Sequence, residues 1–310
     1  MTGRVPVVVL GGWLGAGKTT VVNHLLRHAQ GRRIAVLVND FGDVPIDADL
    51  IEGRLASDVL ALAGGCICCS VGSDLVGTLS GLLGGDAPPD VVLVECSGVA
   101  LPASVARTAR LVPQAEIDGI VVLVDAEQFP AWVADPYVGD TARSQAVQAD
   151  LVVVTKTDLA DPAAARRSLR SIAAAAPVVE AARGDVPIDV VLGIRPLPQP
   201  AGARPFGGLG RFAAGASADD PSSPPPPTRD AARRYASETR RPAGPLDLDS
   251  LKAELADPAG GLLRAKGCVT GLDGRRWWVQ ATGRRVTAEP VTGPAPEADA
   301  LVLIRMAASR

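Results

Sequence analysis

The chain has 310 residues, of which 47% are hydrophobic, 21% charged and 3% aromatic, with a formal net charge of −3. That length suits about two domains. A slightly acidic chain so poor in aromatic residues has neither the basic footprint nor the stacking surfaces that nucleic-acid binding needs, and no apolar stretch approaches the length of a membrane span. The opening segment, MTGRVPVVVLGG, is too short an apolar run for a signal peptide and leads directly into a glycine-rich motif, so the sequence predicts a cytoplasmic protein.

Residues 12 to 19 read Gly-Trp-Leu-Gly-Ala-Gly-Lys-Thr, the pattern G-x-x-x-x-G-K-S/T. The apolar run Val7 to Leu10 before it reads as a buried strand, and Lys18 to His28 after it reads as a helix. Glycines let the backbone curl until successive N–H groups converge on phosphate oxygens, and the helix N-terminus adds a positive dipole. The predicted roles are Lys18 on the β and γ phosphates and the Thr19 hydroxyl on Mg²⁺. The plain alternative is a glycine-rich strand-to-helix turn. His24 and His28, spaced i,i+4 on the same helix, suit packing or capping better than metal ligation.

Three of the five cysteines, Cys66, Cys68 and Cys69, fall within four residues. In a cytoplasmic protein such a cluster points to metal binding or redox work before disulfides. Thiolates select Zn²⁺, or Cu(I) among soft ions. The competing readings are buried cysteines acting as small hydrophobes and a redox dithiol. Cys96 and Cys268 read as core.

From residue 5 to about 195, apolar runs alternate with helix-like segments. The runs are Val5–Leu10, Ile34–Val38, Val91–Glu95, Gly119–Asp125 and Leu151–Thr155. Their continuous Val/Leu/Ile content predicts parallel strands covered on both faces, joined by right-handed crossovers: an α/β fold with a doubly wound, mostly parallel sheet. Ligands of such sheets bind beyond the carboxyl ends of the strands, where the glycine motif, Asp40, Glu95 and Thr155 all fall. Residues 213–233, which include PSSPPPP, read as an extended linker. The predicted organisation is 1–212 nucleotide-binding domain, 213–233 linker and 234–310 a small α+β domain.

The order of these motifs resembles the CobW-like GTPases, a family of metal chaperones. The resemblance runs through VPVVVLGGWLGAGKTTVVNHLL, IAVLVNDFGDVPID, LAGGCICCSVGSDL, DVVLVECSGVALP, IVVLVDA and QADLVVVTKTDL, and continues in RPAGPLDLDSL and GLLRAKG. It implies a phosphate-loop GTPase sheet, and a nucleotide set of Gly12, Gly15, Gly17, Lys18, Thr19 and Thr20. Glu95 is implied to hold Mg²⁺ or to orient the attacking water, and Asp40 to sit in a nucleotide-sensing switch. The Gly98 N–H would report on the γ-phosphate. Guanine-specific relatives carry N-K-x-D; here residues 155–158 are Thr-Lys-Thr-Asp. Lys156 would pack on the base and Asp158 would accept from guanine, with Thr155 in place of the asparagine that braces neighbouring loops.

The family also implies a fourth zinc ligand, Asp43, beside Cys66, Cys68 and Cys69, with water or a client's ligand as alternatives. Relatives with a histidine-rich inter-domain tract differ from this chain, whose linker is rich in proline and serine.

The expected function is a GTP-hydrolysing chaperone that hands Zn²⁺ to a metal-dependent client docked on the C-terminal domain. No nucleic acid or membrane is expected as a partner, and a nucleotide- or metal-dependent homodimer is compatible with the family. Close alternatives change the ion to Co²⁺ or Fe²⁺, for cobalamin synthesis or nitrile hydratase activation, or remove catalysis and leave a metal buffer. An ATP-dependent small-molecule kinase leaves both CICC and TKTD without a role.

Overall fold

The computed structural model describes residues 4–29, 31–39, 59–62, 72–193, 235–283, 285–292 and 298–306. The chain divides into two units, Met1–Leu192 and Gly193–Arg310.

The first unit is a seven-stranded sheet with the order β3-β2-β4-β1-β5-β6-β7. Its strands are β1 (Val5–Gly12), β2 (Ile34–Asn39), β3 (Val59–Leu62), β4 (Val91–Glu95), β5 (Ala115–Asp125), β6 (Leu151–Thr155) and β7 (Val178–Glu180). Every neighbouring pair is parallel. Helices follow β1, β3, β4, β5 and β6, and β1, β4 and β6 are buried at every position. That is why their sequences are dominated by valine and leucine with no polar alternation. Burying each such side chain stabilises the fold by about 1.5–3 kcal/mol.

The winding reverses at β1. The chain first builds outward through β2 and β3, returns with β4 between β2 and β1, and then adds β5, β6 and β7 on the other side. Register brings the strand ends level: Leu10 pairs with Glu95, Gly12 with Leu123 and Asp125 with Thr155. The carboxyl ends of β1, β4, β5 and β6 therefore share one edge at the switch point, the place such sheets offer to ligands.

The strand runs at β4 and β6 match the sequence reading residue for residue, while β5 begins earlier, at Ala115. Two further short strands, β3 and β7, flank the sheet. The predicted linker, 213–233, lies outside the described residues.

The second unit is a five-stranded antiparallel sheet with the order β11-β10-β9-β12-β8. Its strands are β8 (Tyr235–Arg240), β9 (Leu262–Thr270), β10 (Arg276–Thr282), β11 (Arg285–Pro290) and β12 (Ala300–Met306), with the helix Leu248–Ala256. Leu251 and Leu255 of the helix pack on Ala265, Val269, Val279, Ala281, Leu301 and Leu303. Asp247 caps the helix, its carboxylate accepting from the Asp249 N–H at 3.0 Å. Gly267 lets β12 come close, since a Cβ there would lie 1.9 Å from the Ala300 carbonyl oxygen. Trp277 packs on the same cluster, and both Trp277 and Trp278 are half-buried. Cys96 and Cys268 are buried, as expected.

Candidate functional site

The chain leaves β1 at Gly12 and enters the helix Lys18–Arg27, designated α1, after a five-residue turn. Gly12 has φ 137°, Gly15 76° and Gly17 87°. A Cβ on Gly12 would also strike the Leu123 carbonyl oxygen at 2.6 Å. The motif's glycines are thus required by backbone conformation at all three positions and by β5 at the first. The Lys18 ammonium donates to the Gly12 carbonyl at 3.0 Å and lies 3.3 Å from that of Trp13, so the buried cation stands within the curl of the loop. Thr19 and Thr20 follow on the first turn of α1.

On the neighbouring strand Glu95 is buried at 2% exposure, opposite Leu10. The chain continues through Cys96, whose N–H donates to the Leu10 carbonyl at 2.9 Å, into the turn Ser97–Ala100, closed by the Ala100 N–H to the Ser97 carbonyl at 3.0 Å. Burial pushes the Cys96 thiol up to about 12, with the nearby Lys18 ammonium opposing and the Glu95 carboxylate adding to the rise. That thiol stays protonated and inert. Gly98 is pressed against the phosphate loop: a Cβ there would lie 2.6 Å from the Leu14 side chain and 2.7 Å from its backbone nitrogen.

The third segment is the turn after β6. The buried Thr155 hydroxyl donates to the Ala16 carbonyl of the phosphate loop at 2.8 Å and lies 3.2 Å from the Val124 carbonyl. Lys156 adopts a left-handed φ of 58°. Its ammonium meets the buried Asp125 carboxylate at 2.6 Å. The other Asp125 oxygen accepts from the Glu127 and Gln128 N–H groups at 2.8 and 3.1 Å. The lysine stem is therefore held across the end of β5.

Asp158 accepts from the Arg183 N–H at 3.1 Å and faces its guanidinium at 3.5 Å. Desolvation opposes ionisation of Asp158, but the hydrogen bonds from Arg183 and its positive charge outweigh it and hold the carboxyl below its ordinary value.

The loop carrying Arg183 is itself seated on α1. A Cβ on Gly184, whose φ is 77°, would meet Thr20 at 3.0 Å. Asp185 faces His24 Nε2 at 3.6 Å. The His24 and His28 rings stack at 4.2 Å, which bears out a packing role for the pair.

Of the residues singled out in the sequence, Gly12, Gly15, Gly17, Lys18, Thr19, Thr20, Glu95, Gly98, Lys156 and Asp158 fall on this single edge. Asp40, Asp43, Cys66, Cys68 and Cys69 lie outside the described residues. Among the described residues no group of three or more His, Cys, Asp or Glu side chains is placed to hold a metal ion. Sequence reasoning did not single out Asp125, Gln145 or Arg183, which fix Lys156, the Gly98 turn and Asp158 respectively.

The donor chemistry fits a nucleoside triphosphate with Mg²⁺. The glycine curl leads into a helix start, where backbone N–H groups can receive phosphates, and Thr19 and Glu95 are the residues that would offer a hard divalent cation oxygen donors.

The CobW/HypB/UreG nucleotide-binding domain matches residues 6–180. The chain belongs to that family. Two zinc chaperones are similar to this CobW/HypB/UreG protein: CobW of a Sinorhizobium species, 33% identical over 62% of this chain and 63% of its own length, and YjiA of Escherichia coli, 36% identical over 60% of each. The match therefore spans less than two thirds of those relatives. Among solved structures, the Zn(II)-bound YjiA GTPase from E. coli aligns with 98% of this chain and 95% of its own, at 24% identity and a TM-score of 0.48. Among the described residues no helix is long and apolar enough to cross a membrane.

Proposed function

We propose that this CobW/HypB/UreG protein hydrolyses GTP and uses the cycle to bind Zn²⁺ and release it to a client protein. The observation that carries the GTP reading is the brace from Thr155 to the Ala16 carbonyl, 2.8 Å long, which fixes the Lys156–Asp158 turn to the phosphate loop. A base held at that turn would have its phosphates at Gly12–Thr19.

In this reading the Lys18 ammonium exchanges loop carbonyls for the β and γ phosphate oxygens and neutralises them. Lys156, pinned at its tip by Asp125, lays its stem along one face of the base. Asp158, kept ionised, accepts from guanine N1–H and the exocyclic amine; adenine presents no such donor pair. Thr19 and Glu95 would hold Mg²⁺, which supplies charge neutralisation on the phosphates when bound. Glu95 would also orient water for in-line attack.

The metal half of the reading rests on thiol chemistry and on the relatives' names. Cys66, Cys68 and Cys69 would supply three thiolates and Asp43 the fourth ligand, completing the four that Zn²⁺ prefers. The client would dock on the C-terminal unit.

The deciding experiment is a competition titration with Mg²⁺ present. GTP displaces a labelled guanine nucleotide at lower concentration than ATP does, and Asp158→Asn weakens GTP while improving xanthosine nucleotides. Preference for ATP by the wild type contradicts the proposal.

A further inference from the structure

The turn Ser97–Ala100 is held from beneath by a side chain that belongs to neither the phosphate loop nor the strand that leads into the turn. Gln145, on the helix Gly139–Val147, is 1% exposed. Its Nε2 donates to the Gly98 carbonyl at 3.0 Å and to the Ala100 carbonyl at 2.9 Å. Two carbonyl acceptors demand the NH₂ end of the amide, because Oε1 in that place would set three lone-pair oxygens against one another. Both amide hydrogens are thereby committed to one four-residue turn.

We infer that Gln145 is a positioning residue for phosphoryl chemistry: by gripping the Gly98 and Ala100 carbonyls it fixes the peptide planes of the turn that runs from Glu95 past the phosphate loop. The inference rests on the GTPase reading above. It follows from how few freedoms the turn retains. Its entry is fixed by the Cys96 N–H on the Leu10 carbonyl at 2.9 Å, and its exit by the Ala100 N–H on the Ser97 carbonyl at 3.0 Å. Its outer side is closed by Leu14, which leaves no room for a Cβ on Gly98. The remaining freedom is rotation of the Gly98–Val99 and Ala100–Leu101 peptides, which is what Gln145 removes.

A neighbouring glutamine supplies an internal comparison. Gln148, three residues on, accepts from the Ala103 N–H at 2.9 Å at the start of the next helix and does not touch the turn. Loss of the Gln145 donors should therefore act on the chemical step, and loss of the Gln148 acceptor on helix anchoring alone. Misplacing a phosphate-reading group by a fraction of an ångström is costly to rate, so Gln145→Met should lower kcat about tenfold. It should leave KM for GTP and the Kd for GDP within about twofold, the pattern of a group needed in the transition state more than for binding.

The test measures GTP turnover and GDP binding on the full chain for wild type, Gln145→Met, Gln145→Asn and Gln148→Met. Gln145→Asn keeps the amide one methylene short; it covers the case in which the Met variant does not fold, and its kcat should also fall. Gln148→Met should turn over GTP at close to the wild-type rate. Wild-type kcat in a folded Gln145 variant overturns the inference, as does an equal loss in Gln148→Met, which would mark both glutamines as general anchors. Absence of GTP turnover in the wild type is a separate outcome: it removes the GTPase reading and this inference with it.

Discussion

The Thr155 hydroxyl donates to the Ala16 carbonyl at 2.8 Å, tying the end of β6 to the centre of the phosphate loop. A three-atom side chain thus makes the whole brace. It succeeds because β5 and β6 end level, with Asp125 opposite Thr155, so the hydroxyl starts close to both loops.

Thr155→Val keeps the shape and deletes the donor. The buried Ala16 carbonyl loses a partner, at a cost of about 1–3 kcal/mol. Urea unfolding should show that loss, and GTP and GDP should weaken together, because the brace serves the site in both states. Unchanged nucleotide affinity in a destabilised protein would mean that the brace serves the fold alone.

Lys18→Ala should abolish tight triphosphate binding, since no other described cation stands within the loop's curl. Glu95→Gln should bind GTP and turn it over poorly. Slow intrinsic hydrolysis is expected of the wild type, on the order of 10⁻⁴ to 10⁻² per second, as for unassisted switch GTPases. Single-turnover assays on the three proteins check this, and wild-type hydrolysis by Glu95→Gln removes that carboxylate from the mechanism.

Acid should destabilise the fold through His24. Burial holds the pKa of His24 below its ordinary 6.5; the His28 ring and Arg27 lower it further, while Asp185 and a backbone hydrogen bond to Val186 oppose them. Below pH 6.5 the unfolded chain therefore takes up this proton before the folded one, so stability falls as pH falls through that value. The wild type should lose more Tm between pH 7.5 and 5.5 than His24→Gln does. Equal losses would place the acid sensitivity elsewhere.

The parallel core was legible in the sequence because β1, β4 and β6 are buried at every position and show it as runs dominated by valine and leucine. Short edge strands such as β7, three residues with only Val179 buried, carry no such pattern. The same contrast holds at the site. The glycines, Lys18 and the TKTD turn announce themselves through spacing. Gln145 reaches the site from a segment with no motif, and Asp125 ends the run IVVLVDA without any sign there of its pairing with Lys156; only tertiary contact reveals both. Arg183 is hidden for another reason: its shorter contact with Asp158 is through the backbone N–H, which leaves no mark on residue choice, and the guanidinium reaches the carboxylate from 25 residues away in sequence.

In the proposed cycle, nucleotide state governs metal affinity at Cys66, Cys68 and Cys69. NDFGD and the strand ending at Glu95 flank these cysteines in sequence, and each is expected to respond to the γ-phosphate. The direct measurement is a Zn²⁺ titration of the wild type with GDP and with a non-hydrolysable GTP analogue, alongside a variant with the three cysteines replaced by serine. Affinities should differ between the two states by roughly 5- to 150-fold, the usual range of coupling between sites, and the serine variant should lose the high-affinity site while retaining GTP binding. Identical Zn²⁺ affinities in the two nucleotide states would contradict it.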